Sequence, residues 1–187
     1  TGWTAYNPLA GQAPLGMDGY IMFICIFAIS TMVAGANITT TVVRMRARGM
    51  TRNRTPIFIY GVVASVALAL PAFPVFFLSQ VMSGMDRALG TSFYNTALGG
   101  SGWLYENLFW FYSHPAVYIM VLPGFGVILE LMTTFARKPL FGYRAMAFSM
   151  VAIAVLGFGV AALGQVVFLM GGRAGFRLRF TDRLQVS

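Results

Sequence analysis

The residue types best suited to chemistry crowd into one stretch, Asn107-Leu108-Phe109-Trp110-Phe111-Tyr112-Ser113-His114-Pro115-Ala116-Val117-Tyr118. It holds the only histidine of the chain. On a helix His114 and Tyr118 stand four residues apart and share a face, with Trp110 one turn before them. A neutral imidazole is a good ligand for copper, iron or zinc, and a phenol within reach of a metal centre can deliver a proton and an electron. One histidine cannot hold a metal by itself, so at least two further ligands must come from outside His114. Read alone, each residue has a plainer role. A lone histidine in a membrane helix serves as an interhelical hydrogen-bonding group, Pro115 as a kink, and Tyr118 as a packing residue.

The chain around this stretch is built to lie in a bilayer. Of its 187 residues, 58% are hydrophobic and 10% charged, in long apolar runs broken by short basic or Gly-rich segments. This pattern predicts an all-α, polytopic transmembrane helical bundle. An ionisable side chain at membrane depth, as His114 would be, is then a functional candidate by default. Thirteen basic residues face five acidic ones. That excess reports topology, and with no soluble basic face it excludes a nucleic-acid partner. Cys25 is the sole cysteine and lies inside an apolar run, which rules out a disulfide framework and a Cys-rich metal site. The first residues, Thr1 to Pro8, lack the charged leader of a signal peptide and read as the interior of a longer sequence.

Four spans are expected: Met17 to about Met45, Thr55-Pro56 to about Met82, about Leu104 to Phe135, and about Phe141 to Met170. The Arg44–Arg54 loop carries Arg44, Arg46, Arg48, Arg52 and Arg54, and by the positive-inside rule it is cytoplasmic. Arg137, Lys138 and Arg144 mark the next inner loop. The alternation fails at the end, where Arg173, Arg177, Arg179 and Arg183 fall on the side the topology makes outer. Within the second span Pro71 and Pro74 predict a kink. Glu106 and Glu130 read as interfacial groups at the two ends of the third span, the Met residues as packing, and the Arg44–Arg54 loop also as a contact for membrane lipid.

The central stretch, followed by Leu122-Pro123-Gly124-Phe125-Gly126, resembles the sixth transmembrane helix of subunit I of the haem–copper oxygen reductases, the cytochrome c oxidase family. That helix typically reads Leu-Phe-Trp-Phe-Phe-Gly-His-Pro-Glu-Val-Tyr. Further likeness lies in Thr1-Gly2-Trp3-Thr4, Gly35-Ala36-Asn37, Met45-Arg46-Ala47, Gly49-Met50-Thr51, Pro56-Ile57-Phe58, Asp86-Arg87, Gly90-Thr91-Ser92-Phe93, Phe141-Gly142-Tyr143 and Leu156-Gly157-Phe158. The resemblance covers residues 1 to about 160 and implies helices four to seven of a twelve-helix core. It also implies a part of the catalytic subunit of a proton-pumping, aa3- or caa3-like terminal oxidase. Such an enzyme reduces O2 to water with electrons from cytochrome c and sits with other oxidase subunits in a bacterial inner (plasma) membrane.

Carried over residue by residue, the resemblance makes His114 one of three histidine ligands of the active-site copper and Tyr118 the tyrosine covalently joined to it. Trp110 packs beside the copper, and Ser30, Thr31 and Asn37 match polar positions of a proton pathway. The same three residues also suit plain helix packing. The axial ligands of the two haems lie outside this chain, which alone is expected to be inactive.

Two departures matter. The family's glutamate after His-Pro is Ala116 here, and Tyr112-Ser113 precedes the histidine instead. This resembles a largely bacterial variant, in which Tyr112, Ser113 and bound water are expected to carry the proton. After its seventh helix the family reads Val-Trp-Ala-His-His-Met-Phe, supplying the other two copper ligands. Here Val160 is followed by Ala161-Ala162-Leu163-Gly164. The expectation is a partial oxidase membrane domain over 1–160 and a divergent tail over 161–187. A quinol oxidase of the same family would share this stretch, whereas nitric oxide reductases fit the spacing to Tyr118 less well. From a different class, a non-catalytic membrane scaffold or transporter would use His114 only structurally.

Overall fold

The computed structural model describes residues 2–51 and 54–173. Four long helices make up the bundle: α1 (Gly16–Arg44), α2 (Ile57–Ala88), α3 (Gly102–Ala136) and α4 (Tyr143–Arg173). A short 3-10 turn, Thr96–Leu98, lies between α2 and α3. Each helix contains a segment long and apolar enough to cross a membrane. The expected all-α transmembrane class is what the chain forms. At ~1.5 Å per residue, α1, α2 and α3 reach about 44–52 Å, longer than a ~30 Å hydrocarbon core.

The boundaries differ most at α2, which continues to Ala88 instead of stopping near Met82. Ser83 and Gly84 look like a loop start in sequence. Ser83 is in fact buried, and its hydroxyl accepts a hydrogen bond from Asn7 Nδ2 at 3.0 Å. One turn further Arg87 donates to Asp18 and to the carbonyls of Ala10, Gly11 and Ala13. The last turns of α2 are thus held by the N-terminal loop. Of the tail's arginines, Arg173 ends α4, while Arg177, Arg179 and Arg183, and the charge contrast they create, lie outside the described residues.

Cross-links at the helix ends set the topology. Arg87 at the end of α2 meets Asp18 at the start of α1. At the other end, the Phe58 N–H in the first turn of α2 donates to Glu130 Oε1 on α3 at 3.1 Å, and the Tyr143 hydroxyl of α4 donates to the Thr55 carbonyl. Successive helices are antiparallel, and both basic loops, after α1 and after α3, lie at one end of the bundle.

Lipid supplies no hydrophobic drive for one helix to leave it for another, so close packing must hold such a bundle together. Two clusters do so. At the basic end Ile57, Ala64, Leu68, Leu122, Ala147, Met150 and Ala154 join α2, α3 and α4. At the opposite end Ile24, Phe76, Tyr94, Tyr105 and Phe109 form an aromatic cluster that Tyr6, Tyr20 and Tyr112 border. Hydroxyls on the spans return their protons to the preceding turn, as Thr39 does to the Gly35 carbonyl and Ser65 to the Gly61 carbonyl, both at 2.9 Å. This satisfies them without water. Outward faces carry Met22, Phe23, Val33, Val117, Met120 and Phe135, apolar and exposed.

Candidate functional site

Helix α3 carries the site. Pro115 and Pro123 stand inside it without breaking it. Neither has an N–H, so the carbonyls of Phe111 and Ile119 lose their usual donors four residues on. Ser113 and Pro115 are buried and His114 half-buried. The His114 Nε2 atom is itself buried and has no hydrogen-bond partner among the described residues. A buried polar atom left unpaired costs about 1–3 kcal/mol, and an imidazole nitrogen so placed is available to a metal or to a new covalent bond. The Tyr118 ring stands one turn on, its centroid 5.2 Å from that of His114 and its plane tilted 69°.

Opposite these two rings is α4. A Cβ built on Gly157 would come within 2.8 Å of Tyr118 Cδ2 and 2.9 Å of Cε2, so the ring edge rests on bare backbone. Phe158, next in α4, meets Phe111 edge-on at 5.3 Å. Phe111, His114 and Tyr118 therefore share the side of α3 that faces α4.

Tyr112 faces the other way. It stacks on Phe76 of α2 at 4.1 Å with planes 5° apart and meets Phe73 at 4.9 Å. No hydrogen bond or ring contact joins Tyr112 to His114 among the described residues; buried Ser113 lies between them in sequence. Trp110 is partly exposed, and its indole N–H donates to the Tyr6 hydroxyl. Burial pushes the Tyr6 phenol above its ordinary pKa, and the Trp110 hydrogen bond opposes that rise. Ser30 and Asn37 point outward on α1, and the Thr31 hydroxyl donates to the Phe27 carbonyl at 2.9 Å. None of the three is hydrogen-bonded to α3 among the described residues.

Sequence reading missed two partners of this region. Tyr6 lies in the loop before α1, and its bond to Trp110 joins residues 104 apart in sequence. Gly157 carried no chemical signal of its own, because its role is the space it leaves.

The profile of the cytochrome C and quinol oxidase polypeptide I family matches residues 1–171. The chain belongs to this family. It is 42% identical to cytochrome c oxidase subunit 1 of Bacillus subtilis over 160 residues, covering 85% of this chain and 26% of the relative. It is 42% identical to the Synechocystis cytochrome c oxidase subunit 1 over 157 residues, 83% of this chain and 28% of the relative. Quinol oxidase subunit 1 of Bacillus subtilis is 40% identical over 161 residues, covering 84% of this chain and 25% of the relative. The chain thus spans about a quarter of the length of the curated relatives it matches.

Members of this oxidase family bind haem and copper, and the α3 turn can be tested against copper. No group of three or more His, Cys, Asp or Glu residues able to hold a metal ion occurs among the described residues. A single imidazole with a buried, unpartnered nitrogen is nonetheless the donor type copper favours. The geometry fits one ligand of a set completed from elsewhere.

Proposed function

We propose that this chain is part of the catalytic subunit of a terminal oxidase that reduces O2 to water with electrons from cytochrome c and moves protons across a bacterial plasma membrane. One observation carries the site: a buried, unpartnered His114 nitrogen one helical turn from the Tyr118 ring, in a helix whose family binds haem and copper. His114 would hold the active-site copper as one of three histidine ligands. When bound, copper and the haems supply the electrons and the oxygen-binding centre. Tyr118, joined to His114, would keep a proton on its phenol oxygen and release it with an electron as the O–O bond breaks. Trp110, tied to Tyr6, would wall the site on the side away from Tyr118.

With Ala116 in place of a carboxylate, proton delivery falls to Tyr112 and Ser113 with bound water. The contact of the Tyr112 ring with Phe76 and Phe73 of α2 supports a route that would run beside the α2–α3 contact. Ser30, Thr31 and Asn37 belong to α1, where Ser30 and Asn37 face outward, so any proton pathway they line would run along the outer face of α1, apart from the Tyr112 route. The Arg44–Arg54 loop would face the cytoplasm. The divergence of residues 161–187 belongs to the same proposal. The two Bacillus subtilis relatives, one named a cytochrome c oxidase and one a quinol oxidase, match about equally well. Quinol is therefore the second candidate donor.

The test is oxygen uptake by membranes carrying the complete subunit with its partner subunits, given reduced cytochrome c or a reduced quinol. Uptake with cytochrome c that Tyr118→Phe abolishes is the expected result. Uptake with quinol alone would reassign the donor, and full uptake in Tyr118→Phe would overturn the role of the tyrosine.

A further inference from the structure

We propose that Gly157 is a positioning residue for Tyr118: its bare Cα on α4 lets the phenol ring settle beside His114 at the tilt seen here. A Cβ at 157 would stand 2.8, 2.9 and 3.3 Å from Tyr118 Cδ2, Cε2 and Cγ. The first two distances are well inside carbon–carbon contact. The ring cannot simply swing clear. It packs against the buried cluster that joins α2, α3 and α4, and the His114 ring centroid lies 5.2 Å from its own. Interiors packed at crystal-like density pass such strain on. Any side chain at 157 therefore pushes the phenol along α3 or forces α3 and α4 apart.

Gly159, two residues on in the same helix, is the internal control. A Cβ there meets nothing within 4 Å. Both Gly→Ala changes raise helix propensity alike, so a difference between them reports the Tyr118 contact.

The inference rests on the function proposed for Tyr118, and its test separates the two. In the complete oxidase, Gly157→Ala should lower kcat by up to about 10²-fold, the scale of a small misplacement of a reacting group, with KM for the electron donor unchanged. It should also shift the Tyr118 C–O stretching band in infrared difference spectra of enzyme labelled with ring-deuterated tyrosine. Gly159→Ala should leave both readouts as in the wild type. A Gly157→Ala enzyme indistinguishable from Gly159→Ala in kcat and in the band would overturn the proposal. If Gly157→Ala fails to assemble, the double change with Tyr118→Ala removes the ring and should restore assembly; continued failure would overturn it equally. Full turnover in Tyr118→Phe would refute the redox role of the tyrosine, while the assembly rescue still reports the contact.

Discussion

Gly126 of α3 lies against Phe58 of α2 so closely that a Cβ on it would come within 2.7 Å of the Phe58 Cα. One turn on, Glu130 accepts the Phe58 N–H. One turn before, Gly61 meets the Leu122 carbonyl, where a Cβ would reach 2.6 Å. Small residues let two backbones touch, and a carboxylate then satisfies an N–H at a helix start that would otherwise stand unpaired. This crossing fixes α3, and with it His114, against α2.

Alanine normally favours a helix over glycine by about 1 kcal/mol, but at this crossing the order should reverse. Gly126→Ala should destabilise the complete subunit by about 1–3 kcal/mol, the usual cost of overpacking. Gly124→Ala, where a Cβ meets open space, should be neutral or stabilising. Thermal unfolding of the two purified variants decides it.

Tyr105 is fully buried, and its hydroxyl joins two elements. It accepts from Gln80 Nε2 at 3.0 Å and donates to the Thr4 carbonyl at 2.8 Å. Tyr105→Phe keeps the ring and strands both partners, so a loss of about 1–3 kcal/mol is expected. Adding Gln80→Leu removes one stranded group, and the double variant should cost less than the sum of the singles. Denaturation midpoints of the four proteins provide the cycle.

Arg87 ties the end of α2 to Asp18 in the first turn of α1 and to three carbonyls of the loop before it. Arg87→Lys should not replace it, because one ammonium cannot reproduce the planar fork. Amide hydrogen exchange should quicken from Ala10 to Asp18 in that variant and stay unchanged around His114.

Tyr112 separates packing from chemistry. Its ring stacks on Phe76, and Tyr112→Phe preserves that contact. Stability should therefore hold while turnover of the complete oxidase falls about 10²-fold, the scale of a lost proton-transfer group. Equal losses in both would make the residue structural.

How far the sequence reaches can be judged residue by residue. Apolar length and the basic loops predicted four helices, because the cost of unpaired backbone in lipid leaves a chain of such runs few alternatives. The i, i+4 spacing placed His114 and Tyr118 on one face, and their rings do meet. Tyr112 entered through its resemblance to the Tyr-Ser variant, which says nothing of its partners; two residues turn a helix by about 200°, and its ring stacks on Phe76 of α2. Glu130 read as interfacial because its partner, a backbone N–H, has no sequence signal. Gly157 stood in a motif, but its contact with Tyr118 did not show: contacts between helices depend on pairs of positions, and one sequence shows only single ones.

The proposed site depends on His114 as a copper ligand. Metal analysis of the complete oxidase with His114→Asn, set against its haem content, tests it most directly. Loss of the active-site copper, unchanged haem content and no oxygen uptake are the expected result. Full copper content with wild-type oxygen uptake would contradict it.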